Sequence, residues 1–417
     1  MDELYRSETV VVRRIAADDQ SRWVVTFDNY GIGPGFNRSG FGEAFFRSRG
    51  VSAIHVLGRS DDWYQYSDVF LALEAVREAI SGSDRIMTYG SSMGGYAAIR
   101  FADLVEANAV LALSPQYSID PTRQPFDARW QQDAHRIAWM PEIDGPVKCR
   151  CQPVVVFDPK SMDGNQVSRL SQDIRIVEIP LPYSGHPATT YLQEADLLEP
   201  LVMAVLHDTL DPEFTRTKAW ARRKTSMAYL NELTRIQPPW RKRMALGLAR
   251  YASRLAPDDP NAMWALANQL VSTGAHDEAL PLFERAIQTA GRLPTLLNSY
   301  ANGLMAAGRF SEAFEIAREV LDLRPGKAHL LAWYAHVAWG AGHEAEARQA
   351  INSAVALDPT SDAYSVLAQA YEGAPGKDVP CPSEARAGWF RSGFRWARRQ
   401  CQRSLTGRPR GRTASSP

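Results

Sequence analysis

Cysteine is scarce in this 417-residue chain, which has only Cys149, Cys151, Cys381 and Cys401. Four are too few for a disulfide-stapled scaffold, and no C-x-x-C pair offers zinc-ligand spacing. The adjacent-but-one pair, Cys149 and Cys151, reads as two free thiols in preference to a redox couple. An excess of one charge is also lacking: 47 Lys+Arg stand against 47 Asp+Glu, which argues against a protein built around a single polyanion. No run approaches the ~18 uninterrupted apolar residues of a bilayer-spanning helix. The opening residues, with Asp2, Glu3 and Glu8 among them, lack the basic and apolar regions of a secretory signal. These absences predict a soluble, cytoplasmic protein. What is present, 45% hydrophobic and 23% charged residues, is ordinary globular composition. At about 150 residues per domain, the length suggests two or three domains.

Residues 1–210 alternate short apolar runs with helical stretches. Runs at 23–27, 52–57, 85–89, 109–113, 153–157 and 174–179 are β-branched or aromatic and bounded by Gly, Pro, Asp or Ser. Helical periodicity is clearest at 67–81 and 94–106. Strands alternating with helices predict an α/β domain with a mostly parallel sheet covered on both faces. The run at 9–15 suits an added antiparallel edge strand, and the irregular stretch 117–150 suits a cap or lid.

After a helical linker at 211–225 the texture becomes Ala- and Leu-rich, and a period of 34 residues appears. Gly274, Gly308 and Gly342 keep it, as do Ala267, Ala301 and Ala335, and Glu278-Ala279, Glu312-Ala313 and Glu346-Ala347. Pro257, Pro325 and Pro359 fall on the same phase, with Gly291 in the remaining slot. Ala245, Ala249 and Ala252, before Pro257, extend the phase back by one degenerate unit. The region 226–372 resembles the tetratricopeptide repeat, which implies an all-α solenoid of stacked helix pairs and a protein partner on its concave face. Trp264, Tyr300, Trp333 and Tyr334 sit at helical spacing and read as core. The segment 373–417 is a basic tail, expected to be disordered. Nine arginines and no carboxylate lie between Arg386 and Arg412, interleaved with Trp389, Phe390, Phe394 and Trp396. Such a tail suits contact with an anionic membrane surface or a nucleic acid, or none at all.

Chemistry concentrates at Gly90-Ser91-Ser92-Met93-Gly94, a G-x-S-x-G between an apolar strand and a helical run. Glycines flanking Ser92 permit a sharp turn that lifts its hydroxyl above the sheet, at a helix start that favours developing negative charge. His186, in a Gly/Pro loop after the strand at 174–179, is the candidate base. Two carboxylates follow the strand at 153–157: Asp163, favoured because it lies a few residues beyond the strand, and Asp158 at the strand end. The chain order Ser…Asp…His and this elbow resemble the α/β-hydrolase fold. The resemblance implies an oxyanion hole from the Met93 N–H and a second N–H in the loop after 23–27, from Asn29 or Tyr30. This loop departs from the usual pattern, with Asp28-Asn29 where a His-Gly pair is common. The loop at 59–65, with Trp63, lies at the carboxyl end of the sheet and suits a substrate pocket. The implied reaction is hydrolysis of an ester or related acyl substrate through an acyl-enzyme, without a metal or organic cofactor. Alternatives are acyl transfer to a sugar hydroxyl in surface-polysaccharide or glycoprotein modification, and a non-catalytic scaffold.

Overall fold

The computed structural model describes residues 2–33, 35–359 and 361–373. The basic tail, with Cys381 and Cys401, lies outside the described residues. The chain divides into two compact units, Met1–Arg235 and Ile236–Pro417.

The first unit is built on an eight-stranded mixed sheet. Its strands are β1 (Asp2–Arg6), β2 (Val10–Ile15), β3 (Arg22–Phe27), β4 (Ser52–Gly58), β5 (Arg85–Ser91), β6 (Ala109–Leu113), β7 (Val154–Phe157) and β8 (Val177–Pro180). Their order is β1-β2-β4-β3-β5-β6-β7-β8. The pairs β1–β2 and β2–β4 are antiparallel; the remaining pairs are parallel. The central strands β4 and β6 are buried along their whole length because helices cover both faces, so their sequences read as continuous apolar runs. The strand expected at the edge, 9–15, is an inner one. The edge is β1, which carries Asp2, Glu3 and Arg6 and shows no apolar alternation. Charges of this kind blunt an exposed strand edge.

Segment 117–150 is packed onto the first unit. Trp130, Ile143 and Val147 join its core, and buried Asp144 lies 3.6 Å from Arg100 and 3.2 Å from Arg123. Residues 211–235 also pack here, as the helices Pro212–Arg222 and Met227–Arg235. Tyr191 Oη donates to the Ala219 carbonyl at 2.5 Å, and Tyr229 lies edge-on to Tyr183 at 5.8 Å. Burial of Ala219, Met227, Tyr229 and Leu230 accounts for this packing, and the compact boundary falls after the expected linker.

His55, buried on β4, pairs through Nδ1 with Thr26 Oγ1 at 2.6 Å, while its Nε2 has no partner. Burial lowers its pKa from 6.5 to about 4, with Glu43 opposing the shift and Arg47 and Arg13 adding to it. The neutral ring is therefore required in the folded state, and the unfolded chain binds the extra proton. Stability from this group is fully present above pH 6.5 and is lost as the pH falls towards 4, a difference of about 3 kcal/mol. The thermal midpoint should fall across this window in the wild type and less steeply in His55→Gln. Parallel midpoint curves for the two proteins would refute the linkage.

In the second unit, helices alternate in the 34-residue register. The pairs are Pro260–Ser272 with His276–Ala290, Pro294–Ala306 with Phe310–Leu323, and Ala328–Gly340 with Glu344–Leu357. Lys242–Leu255 precedes them, burying Ala245, Ala249 and Ala252, and Asp362–Gly373 follows. Ala267, Ala301 and Ala335 are fully buried where helices touch, which explains why small residues recur there. Gly274, Gly308 and Gly342 take φ of +83°, +78° and +85° just past the first helix of each pair, where a left-handed residue ends the helix. Pro257, Pro325 and Pro359 lie just beyond the helices ending at 255, 323 and 357. Trp333 and Tyr334 are in the core, with Trp264 and Tyr300 packed against it. Among the described residues no helix is long and apolar enough to cross a membrane.

Candidate functional site

Ser92 stands between β5 and the helix Met93–Arg100 with φ +54° and ψ −116°, a conformation that side chains rarely adopt. Close packing holds it there. A Cβ on Gly90 would come within 2.2 Å of the Gly94 backbone, and one on Gly94 within 2.5 Å of the Phe27 carbonyl oxygen. Both glycines of the motif are thus required by backbone approach. The Ser92 N–H donates to the Leu113 carbonyl at the end of β6 (2.8 Å), which fixes the turn to the sheet. Met93 occupies the first helical position, where a backbone N–H has no intrahelical acceptor.

Ser92 Oγ lies 2.9 Å from His186 Nε2, and His186 Nδ1 lies 2.8 Å from Asp163 Oδ2. The loop after β8 presents His186; the Ala188 N–H donates to Ser114 Oγ at 3.1 Å and ties that loop to the end of β6. Asp163 opens the helix Asp163–Asp173 and is fully buried. The alternative acid, Asp158, does not contact the imidazole. It accepts the backbone N–H groups of Lys160 (2.8 Å), Tyr183 (3.0 Å) and Gly185 (3.0 Å), bracing the loop that carries His186. Burial raises the Asp158 pKa, and these three donors work against that rise.

Further groups, which the sequence reading missed, surround this chain of contacts. Arg129 donates to Asp163 Oδ1 at 2.7 Å and forks onto Asp127, whose Oδ2 is 2.7 Å from Nη2. Burial pushes the Asp127 carboxyl up, but the Arg129 guanidinium outweighs it and holds the pKa below the ordinary value. Trp130 meets the His186 ring edge-on, centroids 5.4 Å apart. Gln116, 2% exposed, donates from Nε2 to Ser92 Oγ at 3.1 Å and accepts on Oε1 from Trp63 Nε1 at 3.2 Å. Its position just past β6, beside the strand that carries the elbow, is the one sequence signal that could have found it. Arg129 and Trp130 had none, because segment 117–150 has no clear period.

The residues expected to bind substrate are distributed unevenly. Trp63 reaches the site through Gln116. Tyr30 packs on Trp63 and Trp130, at 5.7 and 6.4 Å, and donates its hydroxyl to Asp133 at 2.8 Å. Burial and the adjacent Asp133 push the Tyr30 pKa well up. Asn29 is exposed and gives its amide to the Tyr30 carbonyl at 3.0 Å. The N–H of Asp28 goes to Tyr64 Oη (2.6 Å) and that of Gly31 to Asp61 (2.7 Å). Cys149 and Cys151 are free, with sulfurs 3.6 Å apart.

Chemically, the arrangement provides a hydroxyl whose proton has a direct acceptor, and a buried carboxylate that fixes the imidazole tautomer by accepting from Nδ1–H.

The tetratricopeptide repeat family matches residues 304–370. The second unit is a helical solenoid carrying these repeats. No curated protein matches the chain. Among solved structures, MamA from Desulfovibrio magneticus is 17% identical over 34% of this chain and 84% of its own, with a TM-score of 0.30. A thermophilic tetratricopeptide-repeat protein of Thermus thermophilus is 15% identical over 44% of this chain and 98% of its own, with a TM-score of 0.34. The Sgt2 repeat domain from Aspergillus fumigatus is 17% identical over 31% of this chain and 93% of its own, with a TM-score of 0.25.

Proposed function

We propose that the first unit is a serine hydrolase of α/β-hydrolase type, acting on an ester or related acyl substrate through an acyl-enzyme. The observation that carries this reading is the continuous contact from Ser92 Oγ to His186 Nε2 (2.9 Å) and from Nδ1 to Asp163 (2.8 Å), with Ser92 on a strained strand-to-helix turn. Placement of the acid after β7 and the histidine after β8 supports it. Ser92 attacks the acyl carbon while His186 takes its proton, and Asp163 stabilises the imidazolium. Departure of the alcohol leaves an acyl group on Ser92. Water completes hydrolysis; a sugar hydroxyl attacking the same acyl group would complete a transfer. In the second unit, the tetratricopeptide repeats supply a curved helical surface for a protein partner.

A fluorophosphonate probe tests the nucleophile directly. Full-length protein should be labelled stoichiometrically, with mass spectrometry placing the adduct on Ser92. Folded protein that resists labelling would instead favour a scaffold whose repeats recruit partners.

A further inference from the structure

Gln116 touches the atom on which the proposed chemistry turns, and the mechanism above gives it no part. We infer that Gln116 is a catalytic residue of the reaction proposed for this site. Its side-chain amide supplies, beside the Met93 N–H, a second hydrogen bond to the negative charge that develops there. The inference rests on the serine-hydrolase reading and goes beyond it in naming the donor.

Orientation is the first argument. An indole N–H can only donate, so the atom of Gln116 facing Trp63 Nε1 at 3.2 Å must be the carbonyl Oε1. The –NH₂ is thereby turned to Ser92, where Nε2 lies 3.1 Å from Oγ. With an amide hydrogen directed at its oxygen, the serine hydroxyl is left to place its own proton on His186 Nε2, 2.9 Å away.

Surroundings are the second. Gln116 is 2% exposed and Trp63 fully buried, so the amide acts where water does not compete with it. A donor fixed before reaction in such a place needs no reorganisation when charge appears.

The step balances as follows. An Oγ–C bond forms as the Oγ proton passes to His186 Nε2, and the carbonyl π pair moves onto its oxygen. That oxygen sits on the carbon bonded to Oγ, and is assigned to the Gln116 amide that faces Oγ at 3.1 Å. Collapse re-forms the carbonyl, breaks the C–O bond to the alcohol and sends the His186 proton out with it. The amide is unchanged. Trp63, acting through Gln116, is a positioning residue.

The test compares fluorophosphonate labelling rates and p-nitrophenyl acetate kinetics in full-length wild type, Gln116→Ala, Gln116→Glu and Trp63→Phe. Gln116→Ala should lose about 10²–10³ in kcat, the usual cost of one such donor, with little change in KM. Gln116→Glu keeps the shape and the acceptor for Trp63 but has no N–H to give, and its kcat should fall at least as far; the buried carboxylate also faces the Ser114 carbonyl, to which the amide donates at 3.4 Å, so its thermal midpoint should fall as well. Trp63→Phe keeps the ring and frees the amide, and should lose about tenfold in kcat at constant KM from misplacement alone. If the wild type is labelled and Gln116→Glu reacts within threefold of it, this inference is overturned and the serine nucleophile stands. Should the Gln116 variants fail to fold, wild-type rates in Trp63→Phe overturn it equally. A wild type that is never labelled removes the hydrolase reading itself.

Discussion

Ser92→Ala should reduce turnover of p-nitrophenyl acetate by about a million-fold, because nucleophile and base of a triad act as one unit. For the same reason His186→Ala should be nearly as severe, and the double variant little worse than either single one. The substitution removes one oxygen and leaves the backbone demand unchanged, since alanine at φ +54° carries the same Cβ as serine. Its structural cost comes from the two partners that lose Oγ, the half-buried His186 Nε2 and the buried Gln116 amide, which keeps the Ser114 carbonyl at 3.4 Å. An unsatisfied buried donor costs about 1–3 kcal/mol, too little to unfold a domain of this size. Circular dichroism should therefore stay that of the folded protein while kcat disappears, the midpoint falling by about 2–4 °C for each kcal/mol lost. Retention of more than a tenth of the activity would dismiss Ser92 as the nucleophile.

Legibility of the fold and site in the sequence follows from how local each constraint is. The elbow was visible because its glycines sit two residues either side of Ser92, and the contacts that require them are made by Phe27 and by the motif's own backbone. The repeats were visible because one local demand, a small residue at a helix contact and a left-handed residue at a helix end, recurs every 34 residues. His186 and Asp163 could be placed because loops after successive parallel strands gather at one edge of the sheet. The parts that stayed hidden are long-range. Gln116 is 24 residues from Ser92, and Arg129 is 34 from Asp163. Neither pairing leaves a periodic or local trace. Strand β1 was hidden for a different reason: an edge strand needs no apolar alternation, so its charges hid the ladder with β2. The boundary after 235 likewise depends on Tyr229 packing against Tyr183 and Tyr191, which helical texture alone cannot reveal.

Asp163→Asn and Asp158→Asn should part sharply, although both residues follow β7 and both are buried. Asp163 accepts from His186 Nδ1 at 2.8 Å, and this fixes the proton on Nδ1 and leaves Nε2 free to take the one from Ser92. An asparagine can turn its –NH₂ to the ring. Nδ1 then becomes the acceptor, the proton moves to Nε2, and the base is spent before the reaction begins. The expected loss is about 10⁴ in kcat, the scale seen when a triad acid becomes an amide. The fold should survive, because Arg129 keeps Asp127 as its partner at 2.7 Å. Asp158 has no contact with the ring, and its loss acts on the loop. In Asp158→Asn, Oδ1 can still accept from Lys160 and Tyr183, but the new –NH₂ faces the Gly185 N–H that Oδ2 now receives. Two donors face each other one residue before His186. That costs about 1–3 kcal/mol and should appear as a lower midpoint and a modest fall in kcat. Measured together on full-length protein, the two variants should separate by at least a hundredfold in kcat, with the midpoint ordering reversed. If Asp158→Asn is the inactive protein and Asp163→Asn turns over normally, the acid of the triad has been assigned to the wrong carboxylate.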